Sequence, residues 1–481
     1  MAETRPGDRA DVLIERVVPG GDGLARLSGV VALVPGGLPG DHVRLRVTEA
    51  SSRLVRGALE ELLLPGEARR PDAEMCPRAR DGSCGGCDWP AARLEHHREL
   101  KTALVLDALR RLAGLRAEDL PEPRWLGSAR NYRLRNRLHL DRQGRLGFFA
   151  PRSNAVANLE TCEIVSKVLL ARLPAIRDHL RGLGPMEGEL FTLEDREGKT
   201  LLGELRLADQ EGKSSLGDGR LGEGEGPQIA SRERERISSK LRERGRGPFE
   251  GLRLVDTGGG VIASDGPASL SIVAGGASFD VSVSSFFQGN LYLLDAFLEE
   301  IRTALRAVLR KQERAGSERP SPRHWLDLYA GVGFLTRPLL ELAAEAGSAA
   351  DVTAVEIDAS SFSSLSKNLF LWSYSGLPRA HTMRTSAEFF LSQKNPGSPS
   401  AQVDVIVADP PRAGLSPTVR AGILRMAPRH LLMVSCDPPT FARDVSALKG
   451  RYTVERLTLL DLFPQTHHVE TVALLARREV G

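Results

Sequence analysis

No stretch of this sequence approaches the ~20 consecutive apolar residues that a membrane-spanning helix requires, so no membrane partner is expected. The stretch Met1–Arg9 is polar and charged and lacks the apolar centre of a secretory leader, which points to the cytoplasm. Cysteine is scarce. The 481 residues hold only five, Cys76, Cys84, Cys87, Cys162 and Cys436. An odd number in a reducing compartment argues against a disulfide-stapled protein. No GxxxxGK[ST] phosphate loop is present, which argues against a phosphate-cleaving ATPase, and no internal repeat is visible. Charge is nearly balanced at +3, compatible with a nucleic-acid partner without demanding one. What is present is 41% hydrophobic and 26% charged residues over a length suited to two to four globular domains.

The chain begins as short strands. Val12 and Ile14 alternate with polar residues, Val30–Val34 is a buried-type run, and Val43, Leu45 and Val47 alternate again, with glycine- and proline-rich turns between them. This predicts a small β-barrel over residues 8–64. Leu100, Leu104, Ala108 and Leu112 then mark a helix, and Arg133 to Phe149 reads as a hairpin turning at Asp141–Gly144. Between Asp209 and Pro248 the chain is rich in Gly, Ser, Arg and Glu, and a disordered insertion is expected, with an exposed helix as the alternative for its Arg/Glu-rich part. A second linker is expected over Lys311–Arg323. Around it, the amphipathic helix from Leu294 to Val308 and the strand candidates Trp325–Tyr329, Val352–Ile357, Val403–Val407 and Leu431–Val434 alternate as in a doubly wound α/β domain. The expected layout is a barrel at 8–64, a central α+β domain at 70–280 carrying most of the cysteines, and an α/β Rossmann-like domain at 281–481.

Two constellations carry chemistry. After the first α/β strand comes Asp327-Leu328-Tyr329-Ala330-Gly331-Val332-Gly333, and the next strand ends at Glu356. Glycines there allow close approach of backbone to a ligand, and an acid at the end of the second strand can accept both ribose hydroxyls. The longer GxGxxG of a nicotinamide site would need glycine at Thr336, so S-adenosylmethionine is the better ligand. The second constellation is Ser285–Asn290, Asp409-Pro410-Pro411-Arg412, Ser435-Cys436-Asp437-Pro438-Pro439 and Phe463–Glu470. In an open α/β sheet, residues closing a strand face the ligand crevice, which is where Asp409 and Cys436 stand. A cysteine and a glutamate beside a methyl donor suit pyrimidine C5 methylation. The thiolate adds to C6, C5 becomes nucleophilic, and a carboxylate removes the C5 proton before the thiolate leaves. Such a base must be unstacked, so single-stranded or flipped RNA is the natural substrate.

These motifs resemble the S-adenosylmethionine-dependent RNA 5-methyluridine methyltransferases, in particular the bacterial 23S ribosomal RNA enzymes that carry a TRAM domain and an iron–sulfur cluster. The resemblance covers nearly the whole chain outside Asp209–Pro248. Gly21–Arg26, Val34-Pro35-Gly36 and Leu38–Asp41 are similar to a TRAM barrel, which binds RNA, and Tyr132–Arg137 with Gly147-Phe148-Phe149 is similar to the central domain. The resemblance implies Cys436 as nucleophile, Glu470 as base, Asp409 near the cofactor and the flipped base, and Gln288, Tyr329, Gly331, Gly333 and Glu356 as cofactor contacts. Departures are Asp437 for the usual Asn, Phe334 where Asn or Thr is common, Thr385-Ser386-Ala387 where an acid is usual, and a serine-rich run, Ser360 to Ser366, ahead of the expected Asn368. Cys76, Cys84, Cys87 and Cys162 supply four thiolates, which by spacing alone suit zinc or an iron–sulfur cluster equally. The resemblance favours a [4Fe–4S] cluster. Ribosomal RNA is favoured over tRNA, and a monomer is expected. The rival readings are a DNA cytosine-C5 methyltransferase, an amine methyltransferase that needs no cysteine, and a non-catalytic RNA-binding protein.

Overall fold

The computed structural model describes residues 4–208, 231–256, 258–314, 323–345, 350–393 and 403–478. It divides into two compact units, one of residues 1–128, 410–424 and 432–481 and the other of residues 129–409 and 425–431.

The first unit opens with a six-stranded sheet in the order Arg9–Leu13, His42–Ala50, Leu54–Leu64, Val30–Val34, Gly23–Leu27, Arg16–Val17. The strands at the two ends of that order are joined by only Ile14 and Glu15, and Glu15 N–H donates to Leu24 O at 2.8 Å, so the sheet closes on itself. Its interior is Val12, Ile14, Ala25, Ala32, Val34, Val43, Leu45, Val47 and Val55, the residues that the alternation places on one face. Asp41 is fully buried at the barrel's end, where it accepts from Leu38 N–H and pairs with Arg69 at 2.7 Å.

The helix His97–Ala108 buries Leu100, Leu104 and Ala108 as its spacing requires. Leu112 is exposed, contrary to the four-residue reading, because Leu109–Ala113 winds as a π-turn. The wider turn moves the buried positions to Leu109 and Ala113 before Gly114 ends the helix. The C-terminal part of this unit pairs Tyr452–Leu460 antiparallel with Glu470–Arg477 and parallel with Arg124–Leu126.

The second unit holds a seven-stranded sheet ordered Val156–Asn158, Leu146–Phe149, Arg135–Leu140, Gly188–Glu194, Leu201–Leu207, Gly251–Val255, Val261–Asp265. The expected hairpin is there, with the Asp141 carboxylate accepting from the backbone N–H of Gln143 and Arg145 in the turn. One sheet face is aliphatic. On the other, Phe191 lies across from Arg137, and the Arg206 guanidinium sits 4.4 Å from the Phe191 ring centroid.

The disorder expected from Asp209 to Pro248 does not extend to its second half. Ser231–Arg244 forms a helix that buries Ile237 and Leu241, two apolar residues four apart that suffice to dock one helical stripe. Residues 209–230 lie outside the described residues. Likewise Lys311–Arg314 are not linker but the last turn of the helix Leu294–Arg314, being residues of good helix propensity. The α/β part of this unit runs Ala380–Arg384, Ala350–Glu356, Arg323–Leu328, Val403–Ala408, all parallel.

Candidate active site

In the second unit, three parallel strands end together at Leu328, Glu356 and Ala408, and the residues expected to contact a cofactor follow there. The glycine loop turns tightly enough to put Tyr329, Gly331 and Gly333 all at positive φ, 64°, 57° and 95°. For Tyr329 this is a strained conformation of the kind that gathers at ligand sites. Gly333 has a second constraint, since a Cβ there would lie 2.9 Å from Leu365 Cδ1. Glu356 locks the loop: Gly331 N–H donates to its Oε2 at 2.8 Å and Asp358 N–H to its Oε1 at 2.6 Å. Each oxygen keeps a lone pair for a further donor. Burial pushes the Glu356 carboxyl above its usual range, against those two hydrogen bonds.

The segment Ser285–Asn290 is fastened to the central sheet, with Leu134 N–H donating to Gly289 O and Leu291 N–H to Tyr132 O. That presents buried Gln288, whose Nε2 donates to Asp409 Oδ2 at 3.3 Å. Burial pushes Asp409 up to about 7. Asn368 fixes the loop from below, its amide donating to Val332 O at 2.9 Å.

Two of the departures have structural reasons. Phe334 joins an aromatic cluster with Phe279, Phe287 and Phe297, at centroid distances of 5.4 to 5.7 Å. Ser386 caps the helix Ala387–Ser392 by accepting from Phe389 N–H at 3.0 Å. Sequence reasoning missed Asp327. It is fully buried, accepts from Thr336 Oγ1 at 2.5 Å, and burial lifts it to about 7. The signal was Thr336 itself, which stands where a nicotinamide site would have glycine.

In the first unit, Cys436 follows the strand His430–Ser435 and is half-buried. The next residue, Asp437, caps the helix Pro438–Leu448 by accepting from Thr440 N–H at 3.0 Å. Asp accepts as well as Asn there, so the departure keeps the cap. Buried Asp444 on that helix takes Leu415 N–H at 2.7 Å and Arg420 Nη1 at 2.8 Å, which fastens the loop that begins Pro410-Pro411-Arg412. Glu470 is buried and opens the strand Glu470–Arg477, which neighbours the strand ending at Ser435.

The loop before Glu470 is held from several sides. His467 Nδ1 lies 2.7 Å from Asp88 Oδ2, and Trp89 N–H donates to Gln465 O at 3.0 Å. Burial pushes Asp88 up, but the hydrogen bond and charge of His467 outweigh it and leave its carboxyl below the usual range. His468 Nε2 is 3.3 Å from Arg412 Nη2, and burial with the cationic groups around it pushes His468 down to about 3, so its ring is neutral at pH 7.

Three cysteines of the same unit lie on one short irregular segment. Cys84 N–H donates to Arg78 O, Gly86 N–H donates to Cys84 Sγ at 3.4 Å, and burial raises the Cys84 thiol. Asn131 in the second unit holds the carbonyl of Cys162 at 2.9 Å. All five cysteines are partly buried and none forms a disulfide.

A glycine loop, an acid closing the next strand and parallel strands on a doubly wound pattern define a Rossmann-like methyltransferase. Residues 318–478 match the tRNA (Uracil-5-)-methyltransferase family, and residues 3–59 match the TRAM domain. The two matches are those of an S-adenosylmethionine-dependent RNA uracil-C5 methyltransferase with a TRAM domain ahead of its catalytic part.

An uncharacterised RNA methyltransferase of Corynebacterium efficiens is 29% identical over 98% of this chain and 96% of its own length. The 23S rRNA (uracil(1939)-C(5))-methyltransferase of Shewanella sediminis is 27% identical, covering 94% of this chain and 92% of that one. Among solved structures, the Pyrococcus abyssi tRNA (uracil-54, C5)-methyltransferase with S-adenosyl-L-homocysteine shares the fold. Its TM-score is 0.66 at 18% identity, over 97% of this chain and all of that one.

Proposed function

We propose that this enzyme methylates C5 of a uridine in 23S ribosomal RNA, with Cys436 as nucleophile and Glu470 as base. The observation that carries the reading is the adjacency of two strands, one running into Cys436 and the other starting at Glu470. Cys436 also lies two residues before Pro438, the start of an 11-residue helix whose dipole favours a thiolate near its N-terminus.

The Cys436 thiolate forms a bond to C6, and the C5=C6 electron pair shifts toward C5. C5 takes the methyl group of S-adenosylmethionine, leaving the homocysteine product. Glu470 removes the C5 proton, the double bond re-forms, and the C6–S bond breaks to release Cys436. Gln288, Tyr329, Gly331, Gly333, Glu356 and Asp409 would hold the methyl donor. Their support is the locked glycine loop and the Gln288–Asp409 contact, both within one unit. Ribosomal RNA is favoured because the Shewanella relative, similar along nearly its whole length, is named for that substrate.

Cys76, Cys84 and Cys87, with Cys162 as the fourth thiolate implied by the resemblance, would hold a [4Fe–4S] cluster. The partly buried thiols and the N–H donor aimed at Cys84 Sγ fit such a group. Its role would be structural or in RNA binding, and the chemistry requires no redox step from it. The reading keeps domains at 8–64, 70–280 and 281–481, a monomer, and a cytoplasmic location. Among the described residues no helix is long and apolar enough to cross a membrane.

The test is nucleoside mass spectrometry of ribosomal RNA and tRNA from cells lacking the modification and expressing wild type or Cys436→Ala. We expect 5-methyluridine in ribosomal RNA with wild type alone, and a loss of ~10³-fold or more in the variant, which keeps cofactor binding. Product in tRNA instead would change the target and keep the chemistry. Undiminished product with Cys436→Ala would end the covalent reading.

A further inference from the structure

We infer that Lys101 is the positioning residue for the proposed base, clamping both ends of the loop that delivers Glu470. This rests on the reading of Glu470 as base. Lys101 lies on the helix His97–Ala108, more than 360 residues before the loop, and its side chain is completely buried. Its Nζ donates to Asp461 Oδ1 at 2.5 Å, to Phe463 O at 3.1 Å and to His468 O at 2.6 Å. Three acceptors require three N–H donors, which an ammonium supplies and a neutral amine does not. Asp461 provides the counter-charge, and its other oxygen meets His97 Nδ1 at 2.9 Å.

The two carbonyls bracket the segment Phe463–His468. Nothing in ordinary helix or strand pairing would fix that segment, and it carries strain of its own. Gln465 sits at φ 66°, fully buried, and neither its amide nitrogen nor its amide oxygen has a hydrogen-bond partner. A non-glycine residue held left-handed with an unsatisfied buried amide persists only where its surroundings over-determine it. Lys101 is the group that touches both ends of the strained stretch, two residues before Glu470. A buried charge is a costly way to hold a loop when apolar packing would stabilise as well, so its use here points to a demand for fixed geometry.

The prediction separates steps. Without the clamp, cofactor binding and attack by Cys436 proceed, whereas proton removal from C5 slows because Glu470 is displaced. Misplacing a reacting group by about an ångström costs on the order of 100-fold. Lys101→Met, Glu470→Gln and wild type are compared in single-turnover reactions with RNA and labelled methyl donor, scoring methylated protein–RNA adduct against free methylated RNA on denaturing gels.

We expect Lys101→Met to bind cofactor within twofold of wild type and to accumulate methylated adduct, as Glu470→Gln does. Because the single variant strands Asp461 and loses stability for that reason alone, Lys101→Met/Asp461→Leu removes both charges together. It should regain thermal stability and still trap adduct. Adduct in Glu470→Gln but none in either Lys101 variant would overturn the clamp and leave the base in place. Wild-type turnover in the double variant would do the same. No adduct in Glu470→Gln would instead remove Glu470 as base, and the clamp's function with it.

Discussion

The carboxylates buried around the glycine loop of the second unit and the one buried beside Lys101 in the first are treated in opposite ways. In the second, Asp327 and Asp409 are pushed up to about 7 by burial, and Glu356 is raised by the same cause. Their recorded partners are neutral: the Thr336 hydroxyl, the Gln288 amide and backbone N–H groups. In the first unit, burial also pushes Asp461 up, but Lys101 and His97 overcome it and hold the carboxyl below its usual range. An acid given its own lysine belongs to the architecture. Among the acids buried with neutral groups, Asp409 is the one whose proposed place beside S-adenosylmethionine would bring it a cation from outside.

The most damaging way to probe this contrast is Asp461→Ala, which leaves the Lys101 charge buried and unpaired. We expect a loss of about 3–5 kcal/mol, read by denaturant unfolding. Next is the methyl donor's affinity, measured by calorimetry between pH 6 and 8. Asp409 must shed its proton to meet a cation, and its raised value places that event near pH 7. Affinity should therefore rise with pH and level off above 7, by up to about tenfold per pH unit below it. Asp409→Asn should flatten the profile, and a flat wild-type profile would break the comparison.

A smaller effect concerns the free protein. Asp327 has a folded value of about 7 against an ordinary 3.8, so the folded state holds a proton that the unfolded state has lost across that window. Its contribution to stability therefore falls as pH rises from about 4 to 7. Asp327→Asn should raise the melting temperature at pH 8 and change it little at pH 4, as followed by thermal denaturation. Asp461 works with the opposite sign, its contribution being lost only in acid. Smallest of all is Asp437→Asn, which keeps the cap on Pro438–Leu448 and should alter stability by under ~0.5 kcal/mol.

The strands of the α/β part were legible because parallel strands buried on both faces read as apolar runs, and Val403–Ala408 is buried throughout. The edge strand Ala380–Arg384 was not, since most of its residues are exposed and it holds only one strongly apolar side chain, Met383. The glycine loop, Glu356, Cys436 and Glu470 were legible as motifs. The clamp was not. Lys101 in a helical pattern is indistinguishable from a solvent-facing lysine until the chain brings Asp461 to it. The helix Ser231–Arg244 was legible only as the alternative to disorder, because two apolar residues among charges do not show that the stretch docks until a partner surface is known. The π-turn at Leu109 left no trace in the spacing.

The discontinuity of the first unit bears on how the protein is made. Its barrel strands are all complete by Leu64 and Arg124–Leu126 follows soon after, but its other strands and the loop that meets Lys101 lie more than 300 residues further along. At ribosomal speeds of about 5–20 residues per second, on the order of tens of seconds pass between the emergence of Lys101 and that of Asp461. For that time the nascent helix His97–Ala108 must keep its ammonium in water, although its Leu100 and Leu104 can already pack against Val17, Leu38 and Trp89. The barrel can close early as a finished module, while the helix carrying Lys101 waits for Asp461 before its charge is paired.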